Sequence, residues 1–236
     1  MQTIKNTSNQ KVPQHIAIVM DGNRRWAKQK GKNASTGHLV GYERFKEIAD
    51  ACLEKGVKIL TVYAFSTENW KRSKAEVAAL LRILETALKR EAKRLMKNNV
   101  QFRTIGDLSK FPKSLQNLIA KIKLDTKNNT KGIFNLALNY GAQAEITNAV
   151  KKLLKKGIKA EELTEEIIEQ NLYTTGERNP DLIIRTGGCM RLSNFLLWQA
   201  AYSELYFTKI LWPDFTVEEL DKALADFALR KRNFGR

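Results

Sequence analysis

The stretch HIAIVMDGNRRW, residues 15–26, joins an apolar run directly to a polar turn. Its first six residues are mostly β-branched or aliphatic and too few for a typical helix, so they predict a buried strand. Asp21 and Gly22 follow, and an aspartate beside a glycine at the end of such a run is typical of a turn. Two arginines come next. The predicted strand therefore ends beside one carboxylate and two guanidinium groups.

Similar short apolar runs recur along the chain, with amphipathic segments between them. We predict strands at residues 15–20, 57–65, 100–105, 133–139 and 181–185, and helices at 39–55, 74–98, 112–126, 142–156 and after Thr216. Alternating strands and helices indicate an α/β fold with a mostly parallel central sheet flanked by helices. No linker or repeat interrupts the pattern, so we expect a polar N-terminal tail over residues 1–14 and a single domain over residues 15–236.

Several helix ends carry a local signature. Gly56 follows the predicted helix 39–55 and could end it in a left-handed cap. Ser73 and Thr216 each precede a glutamate by three residues, which predicts a capping box at both helix starts. Cys52 lies on an apolar helical stripe and is expected to be a buried core thiol.

The chain of 236 residues has 41 Lys+Arg against 25 Asp+Glu, a net charge of +16, and 43% hydrophobic residues. This composition is typical of a soluble globular domain. The positive charge would attract nucleic acid, an anionic membrane or a phosphorylated metabolite. Two cysteines and two histidines show neither zinc spacing nor a disulfide framework, so we expect a reducing, cytoplasmic compartment. No apolar run could span a bilayer, and residues 1–14 lack the core of a signal peptide.

Ligands of an open parallel sheet bind where the carboxyl ends of its strands meet. Asp21 lies at such an end, and a carboxylate beside glycine and arginines suits Mg²⁺ next to a phosphate. By itself the tripeptide Asp21-Gly22-Asn23 is more often a simple turn. The chain has no Walker or dinucleotide-binding glycine motif, which counts against an ATPase or an NAD enzyme.

A second candidate anion site follows the fifth predicted strand. Arg185 and Arg191 bracket the pair Gly187-Gly188, and Ser193 supplies a hydroxyl. Two bidentate donors around a backbone that admits close approach suit a phosphate, although either arginine alone would be a common surface ion pair.

Other polar residues have two interpretations each. Glu204 and Asp214 are candidate second carboxylates for an ion, or solvated acids. His38, just before a predicted helix, could bind a diphosphate or cap that helix.

Seven stretches together resemble the signature blocks of the cis-prenyltransferases, bacterial undecaprenyl diphosphate synthases among them. They are HIAIVMDGNRRWA (15–27), GH (37–38), YAFSTENW (63–70), NYG (139–141), IRTGG (184–188), RLSNFLLWQ (191–199) and LWPD (211–214). The blocks occur in order over nearly the whole chain after residue 14. The chain also lacks the Asp-Asp-x-x-Asp motif of trans-type enzymes, which supports the cis class.

This resemblance implies a Mg²⁺-dependent enzyme that condenses isopentenyl diphosphate with an allylic diphosphate such as farnesyl diphosphate. The product would be a long polyprenyl diphosphate, with undecaprenyl diphosphate for the cell-wall lipid carrier as the expected case. An apolar tunnel between the sheet and the helix at 74–98 would hold the growing chain. The resemblance also implies a homodimer in the cytoplasm, in peripheral contact with the anionic inner face of the membrane, and no nucleic-acid partner.

The resemblance assigns roles by position. Asp21 and Asn69 are expected to be catalytic, with Asp21 and Glu204 holding the metal. The expected substrate-binding residues are Gly22, Asn23, Arg24, Arg25, Trp26, His38, Ser66, Thr67, Glu68, Trp70, Arg72, Arg185, Arg191 and Ser193. Residues 66–72 would form a loop that closes over both substrates, and Phe134 would limit the length of the product.

The chain departs from the family pattern at four positions. Ala34 replaces a frequent arginine, Arg24 a glycine, Cys189 a glutamate and Ser73 a proline. We expect Arg24 to compensate partly for Ala34. Two other functions stay open at this point: a non-catalytic subunit that keeps the fold, and a nucleic-acid-binding protein driven by charge, for which no motif is present.

Overall fold

A computed structural model describes residues 11–232 of the chain. In this part the strands are β1 (His15–Val19), β2 (Ile59–Ser66), β3 (Val100–Ile105), β4 (Gly132–Tyr140), β5 (Leu182–Arg185) and β6 (Glu204–Phe207). They form one sheet in the order β3-β4-β2-β1-β5-β6, and every neighbouring pair is parallel. The predicted α/β fold is confirmed. The prediction omitted β6, because this four-residue, half-buried edge strand lacks a long apolar run.

Helices flank the sheet. They are α1 (Asn23–Gln29), α2 (Ala34–Glu54), α3 (Lys74–Lys97), α4 (Lys113–Asp125), α5 (Ala142–Lys155), α6 (Glu165–Glu169) and α7 (Val217–Leu229), with short 3₁₀-helices at Thr67–Lys71, Ala160–Glu162 and Trp212–Asp214. The helix predicted at 39–55 corresponds to α2, and its predicted start at residue 39 was wrong, because α2 begins at Ala34. Asn33 caps this helix by accepting a hydrogen bond from the Thr36 amide at 2.9 Å, so His38 lies inside α2 rather than before it.

The predicted helix ends are mostly confirmed. Gly56 has φ 90° just after α2. Ser73 caps α3 by accepting a hydrogen bond from the Glu76 amide at 3.2 Å, but within residues 11–232 no return bond from the Glu76 side chain completes the predicted capping box. The capping box at Thr216 was wrong, because this residue precedes α7 but its side chain makes no capping hydrogen bond.

The core has two parts, one on each face of the sheet. The larger includes side chains of α2, α3, α4 and α7, and Cys52 is buried there as predicted. The smaller includes Tyr140, Ala142 and Phe195. Because β1 pairs with β2 on one side and β5 on the other, the segments after these three strands lie side by side.

The first ten residues of the predicted 1–14 tail lie outside the described residues, as do residues 233–236 of the predicted domain. No helix within residues 11–232 combines the length and the apolar character needed to cross a bilayer.

Candidate active site

Asp21 lies where β1 and β5 end together. Arg185 is paired with Val19 in the sheet, and its Nη2 donates to Asp21 Oδ2 at 3.0 Å. Arg25, one helical turn after Asp21, donates to the other carboxylate oxygen at 3.1 Å. The Asp21 backbone carbonyl accepts a hydrogen bond from the Thr186 hydroxyl at 2.7 Å. Both carboxylate oxygens therefore face cations from different elements.

Arg185 forms the centre of the second predicted anion site. Its side chain is buried, and Nη1 donates to the backbone carbonyl of Arg191 and to Ser193 Oγ, the latter at 2.6 Å. Its Nε is buried without a hydrogen-bond partner among the described residues. Arg191 itself is exposed beside this group. We call Arg185, Arg191 and Ser193 the cradle.

The glycine pair has a different use from the one expected. At Gly187 (φ 82°) a Cβ atom would lie 2.4 Å from Arg25 Nη2, so glycine makes room for a guanidinium group. The amides of Gly187 and Gly188 donate to the carbonyls of Ile210 and Thr208 at 2.7 and 2.8 Å. These two amides are therefore not free to bind a phosphate.

The first predicted anion site is an open basin at the start of α1 and α2. Cationic side chains of Arg24, Arg25, Lys28, Lys32 and Arg72 line it, together with Asp21, Gly22, Asn23, Ala34 and His38. Asn23 Oδ1 and His38 Nε2 are buried without a hydrogen-bond partner within residues 11–232. Burial, followed by the nearby charge of Arg72, lowers the pKa of His38 to about 4, so this imidazole is neutral at pH 7. A neutral imidazole that carries its proton on Nε2 can donate to a phosphate oxygen, so His38 fits an anionic ligand in this cationic basin, whereas Asn23 Oδ1 can only accept a hydrogen bond.

Glu76 joins two of the basin arginines. Its Oε1 accepts a hydrogen bond from Arg72 Nη1 at 2.9 Å and lies 3.5 Å from Arg24 Nη1. In the sequence, Glu76 was predicted only to take part in a capping box, although its spacing from Arg72 is that of an i,i+4 ion pair. Arg24 thus reaches the basin near Ala34, as predicted, but is held by a carboxylate.

The segment after β2 carries the predicted closing loop. Ser66 donates its amide to Asn69 Oδ1 at 3.1 Å, which completes a capping box at the 3₁₀-helix Thr67–Lys71. Glu68 accepts a hydrogen bond from Asn194 at 3.1 Å. Partial burial acts to raise the pKa of Glu68, but hydrogen bonds from its own amide, Asn194 and two hydroxyls outweigh burial and lower it.

Trp70 anchors this segment. Its indole Nε1 donates to Asn139 Oδ1 at 2.8 Å, and its ring lies 4.9 Å from Phe65 and 5.5 Å from Phe111 between centroids. Trp70 therefore packs against the core. Asn139, which the sequence marked only as part of the NYG stretch, is its hydrogen-bond acceptor.

Three predicted residues form their hydrogen bonds or ion pairs away from both the basin and the cradle. Trp26 is buried, and its indole Nε1 donates to Asp214 Oδ1 at 2.7 Å. These two side chains are therefore paired with each other, and substrate binding by Trp26 stays a prediction. Glu204 is the first residue of β6, pairs with Arg230 at 2.9 Å, and lies toward the opposite end of the sheet from Asp21. Within this chain the structure does not support Glu204 as a second ligand for a metal at Asp21.

An apolar cavity of about 230 Å³ adjoins the basin between the sheet and helices α2 and α3. Met20, Asn23, His38 and Arg72 line both the basin and the cavity. Beyond them the walls are mainly apolar, with Val62, Phe65, Leu80, Ile83, Leu84, Ala87, Leu88 and Leu136. The polar end thus leads directly into an apolar space.

Two aromatic rings close the inner end of this cavity. Phe45 of α2 and Phe134 of β4 have centroids 5.2 Å apart, and both also line a second cavity of about 40 Å³ beyond them. Beside the rings, Tyr42 donates to the buried carboxylate of Glu91 at 2.7 Å. Phe134 was predicted at this position from the resemblance, but Phe45 was not, because an aromatic residue on a helix stripe is usually ordinary core.

Comparisons with known proteins identify the family of the chain. The family model Prenyltransf, "Putative undecaprenyl diphosphate synthase", matches residues 19–235. The isoprenyl transferase of Clostridium tetani is 49% identical over 228 residues, covering 95% of this chain and 89% of that protein. The farnesyl-diphosphate-specific ditrans,polycis-undecaprenyl-diphosphate synthase of Pseudomonas putida is 43% identical over 240 residues, covering 100% of this chain and 96% of its own.

Solved structures match as well. Lavandulyl diphosphate synthase from Lavandula x intermedia, in complex with dimethylallyl diphosphate, has a TM-score of 0.91 and 39% identity over 95% of this chain and 99% of its own. A probable undecaprenyl diphosphate synthase from Campylobacter jejuni has a TM-score of 0.80 and 36% identity, and the match covers 96% of this chain and 100% of that one. With its matching signature blocks, parallel sheet and paired anion sites, the chain belongs to the undecaprenyl diphosphate synthase family of cis-prenyltransferases.

Proposed function

We propose that this protein binds an allylic diphosphate in the basin and isopentenyl diphosphate at the cradle, and joins them in repeated cis condensations. The observation that carries the proposal is the position of Asp21 between Arg25 of the basin and Arg185 of the cradle. Two diphosphates need two anion sites, and the reacting carbons must lie between them. Farnesyl diphosphate is the proposed primer, since a relative is named for that specificity.

Mg²⁺ is the proposed metal. The donor set fits it, because Mg²⁺ commonly takes one or two carboxylates and completes its shell with water and substrate phosphates. Asp21 is the residue that would hold it; the described residues contain no cluster of three His, Cys, Asp or Glu that would form an all-protein site. When bound, the ion neutralises charge on the departing pyrophosphate.

The chain's own residues supply orientation and charge. During reaction the allylic C–O bond breaks, the double bond of isopentenyl diphosphate forms a new C–C bond at that carbon, and a proton leaves the isopentenyl unit. Arg25 and Arg72 face the developing negative charge, and neutral His38 can donate a hydrogen bond to it. Asn69 and Arg72 line the apolar cavity beside the basin. We propose that residues 66–72 close over both substrates, which would exclude water.

The apolar cavity is the proposed tunnel for the growing chain. Each buried CH₂ stabilises the bound product by about 0.8 kcal/mol, so elongation draws the chain inward. Phe45 and Phe134 stand at its inner end. We propose that they limit product length, with undecaprenyl diphosphate as the expected product.

Homodimerisation, a cytoplasmic location and peripheral membrane contact belong to the same proposal. A net charge of +16 supports contact with an anionic lipid surface. No observation favours a nucleic-acid-binding function or a non-catalytic subunit.

The deciding test is incubation with Mg²⁺, farnesyl diphosphate and isopentenyl diphosphate, followed by mass analysis of the lipid. Wild-type protein should give a polyprenyl diphosphate series. Asp21→Ala should lower turnover by about 100-fold or more, since removing one charge-stabilising group costs ~3 kcal/mol in a transition state. Its affinity for farnesyl diphosphate should stay within a few-fold of wild type. No elongation by wild-type protein, or full activity of the variant, would contradict the proposal.

A further inference from the structure

Asn194 connects three elements at the edge of the site. It directly follows Ser193 of the cradle and adopts a left-handed backbone, φ 64°. Its backbone carbonyl accepts from the Ala142 amide at 2.8 Å, and its Oδ1 accepts from the Gln143 amide at 2.9 Å. The cradle is thereby fixed to the first turn of α5.

The same side chain also holds the segment after β2. Asn194 Nδ2 donates to Glu68 Oε1 at 3.1 Å, and Glu68 belongs to the 3₁₀-helix Thr67–Lys71. The side-chain amide of Asn194 thus uses its oxygen to accept from α5 and its nitrogen to donate to the 3₁₀-helix. A carboxylate has no N–H group and could not make the second bond.

Gly141 leaves the space that this arrangement needs. A Cβ atom there would lie 2.6 Å from Asn194 Nδ2 and 2.7 Å from Thr67 Oγ1. Since Gly141 has an extended backbone, φ −160°, steric room rather than conformation requires glycine. The glycine of the NYG stretch therefore serves the contact between Asn194 and the 3₁₀-helix.

We infer that Asn194 is a positioning residue that couples the cradle to the 3₁₀-helix Thr67–Lys71. This inference rests on the proposed function, in which the cradle binds isopentenyl diphosphate. A diphosphate drawn onto Arg185 and Ser193 fixes the adjacent Asn194, and Asn194 holds Glu68 and with it Asn69 over the reacting carbons. Binding of the second substrate thus favours the closed position of the segment.

A charge exchange tests the coupling. Asn194→Asp keeps the Oδ1 acceptor and tolerates a left-handed backbone, but it places a carboxylate against Glu68. We expect kcat to fall at least tenfold while the KM for farnesyl diphosphate changes less than twofold. In Asn194→Asp with Glu68→Gln, the glutamine amide can donate to the new carboxylate, so kcat should rise at least threefold above that of Asn194→Asp alone. Asn128→Asp, exposed and distant, is the matched control for the added charge.

A second readout does not depend on turnover. Trypsin cleaves after Lys71 and Arg72, so the rate of cleavage there reports the position of the segment. In wild-type protein with Mg²⁺, isopentenyl diphosphate should slow this cleavage about fivefold. Asn194→Asp should lose the protection and the double variant should regain it. Gly141→Ala, which displaces the contact without a charge change, should also lose it.

The outcomes separate the two proposals. If wild-type protein elongates farnesyl diphosphate and Asn194→Asp matches it in kcat and in protection, the coupling is wrong and the proposed function stands. A double variant that melts like wild type without recovering either readout also contradicts the coupling. Wild-type protein without any elongation contradicts the proposed function itself.

Discussion

Asp21 shows how a single side chain receives its chemistry from one partner close in the chain and one far away. Its two oxygens face Arg25 and Arg185, at 3.1 and 3.0 Å. Nearby, Asn23 Oδ1 and His38 Nε2 are buried without a partner in the described part of the chain. Leaving a buried polar group unpaired costs about 1–3 kcal/mol. A diphosphate oxygen that accepts a hydrogen bond from His38 Nε2 would recover this free energy for the imidazole on binding.

Arg24→Ala tests whether this arginine compensates for Ala34. Arg24 is 60% exposed and must leave Glu76 to contact a diphosphate, so its contribution is that of a solvated ion pair, ~0.5–1 kcal/mol. We expect the affinity for farnesyl diphosphate, measured by calorimetry, to fall about two- to fivefold. Alanine is chosen because glycine would also weaken α1.

Arg82→Ala, an exposed site on α3 outside the basin, is the control for lost charge. An unchanged affinity in Arg24→Ala would remove this residue from the binding site.

The buried, neutral His15 should make the folded state less stable in acid. Nδ1 lies 2.6 Å from the Arg178 carbonyl and Nε2 lies 2.7 Å from Thr61 Oγ1, which suits a neutral ring with its proton on Nδ1. Burial lowers the pKa of His15 to about 4. The folded state therefore binds fewer protons than the unfolded state, and stability falls as pH drops from about 6.5 toward 4.

Urea unfolding of wild-type protein and His15→Gln at several pH values measures the contribution of His15 to the free energy of unfolding. The free energy of unfolding of wild type relative to the variant should drop by roughly 3 kcal/mol between pH 7.5 and pH 4. His38→Gln, measured in parallel, separates the contribution of the second histidine. A difference that stays constant over this range would show that His15 does not titrate as described.

Helix α2 and strand β4 together define the inner end of the cavity. α2 contributes Phe45 and β4 contributes Phe134, and neither element closes the space alone. A small second cavity lies beyond the pair, lined by Cys52, Leu53 and Leu95 among others. The wall therefore depends on the packing of a helix stripe against one residue of a strand.

Phe134→Leu should lengthen the product. Removing ring volume joins the two cavities and gives the chain further apolar surface, so we expect the mean product to gain one or more isoprene units in mass spectra. Phe227→Leu on α7, buried but outside both cavities, is the matched control for loss of core volume. The same product distribution in both variants would exclude Phe134 from length control.

Charge acts over the entire protein. A net charge of +16 produces a field that favours diphosphates and anionic lipids at low salt, and screening shortens its range to about 10 Å at 0.1 M salt. In the proposed function a long lipid product leaves the cavity for a bilayer, so attraction to an anionic surface would serve its release.

Sedimentation with lipid vesicles tests membrane contact. We expect binding to vesicles that contain phosphatidylglycerol at 50 mM salt, and release at 500 mM salt as screening removes the attraction. Phosphatidylcholine vesicles are the neutral control. Equal binding to both lipids would show that charge does not direct the contact.

The alternation of apolar runs and amphipathic helices predicted the parallel sheet, and the turn after each strand predicted which segments meet. Ser73 and Gly56 were predictable because capping chemistry is local. Trp26 and Glu204 were assigned by position, and the structure places both outside the basin. Whether a side chain at a turn faces the ligand or the core depends on neighbours that are distant in sequence.

The amino-acid order alone determined the fold class, the carboxylate at the end of β1 and the two groups of arginines, since these follow from periodicity and from residue type. Only tertiary structure decided that Arg185 and Arg25 share Asp21, that Phe45 pairs with Phe134, and that Asn194 reaches Glu68 across 126 positions. The physical reason is that hydrogen bonds and ring contacts act over a few ångströms, and which side chains come that close is set by the packing of the entire chain.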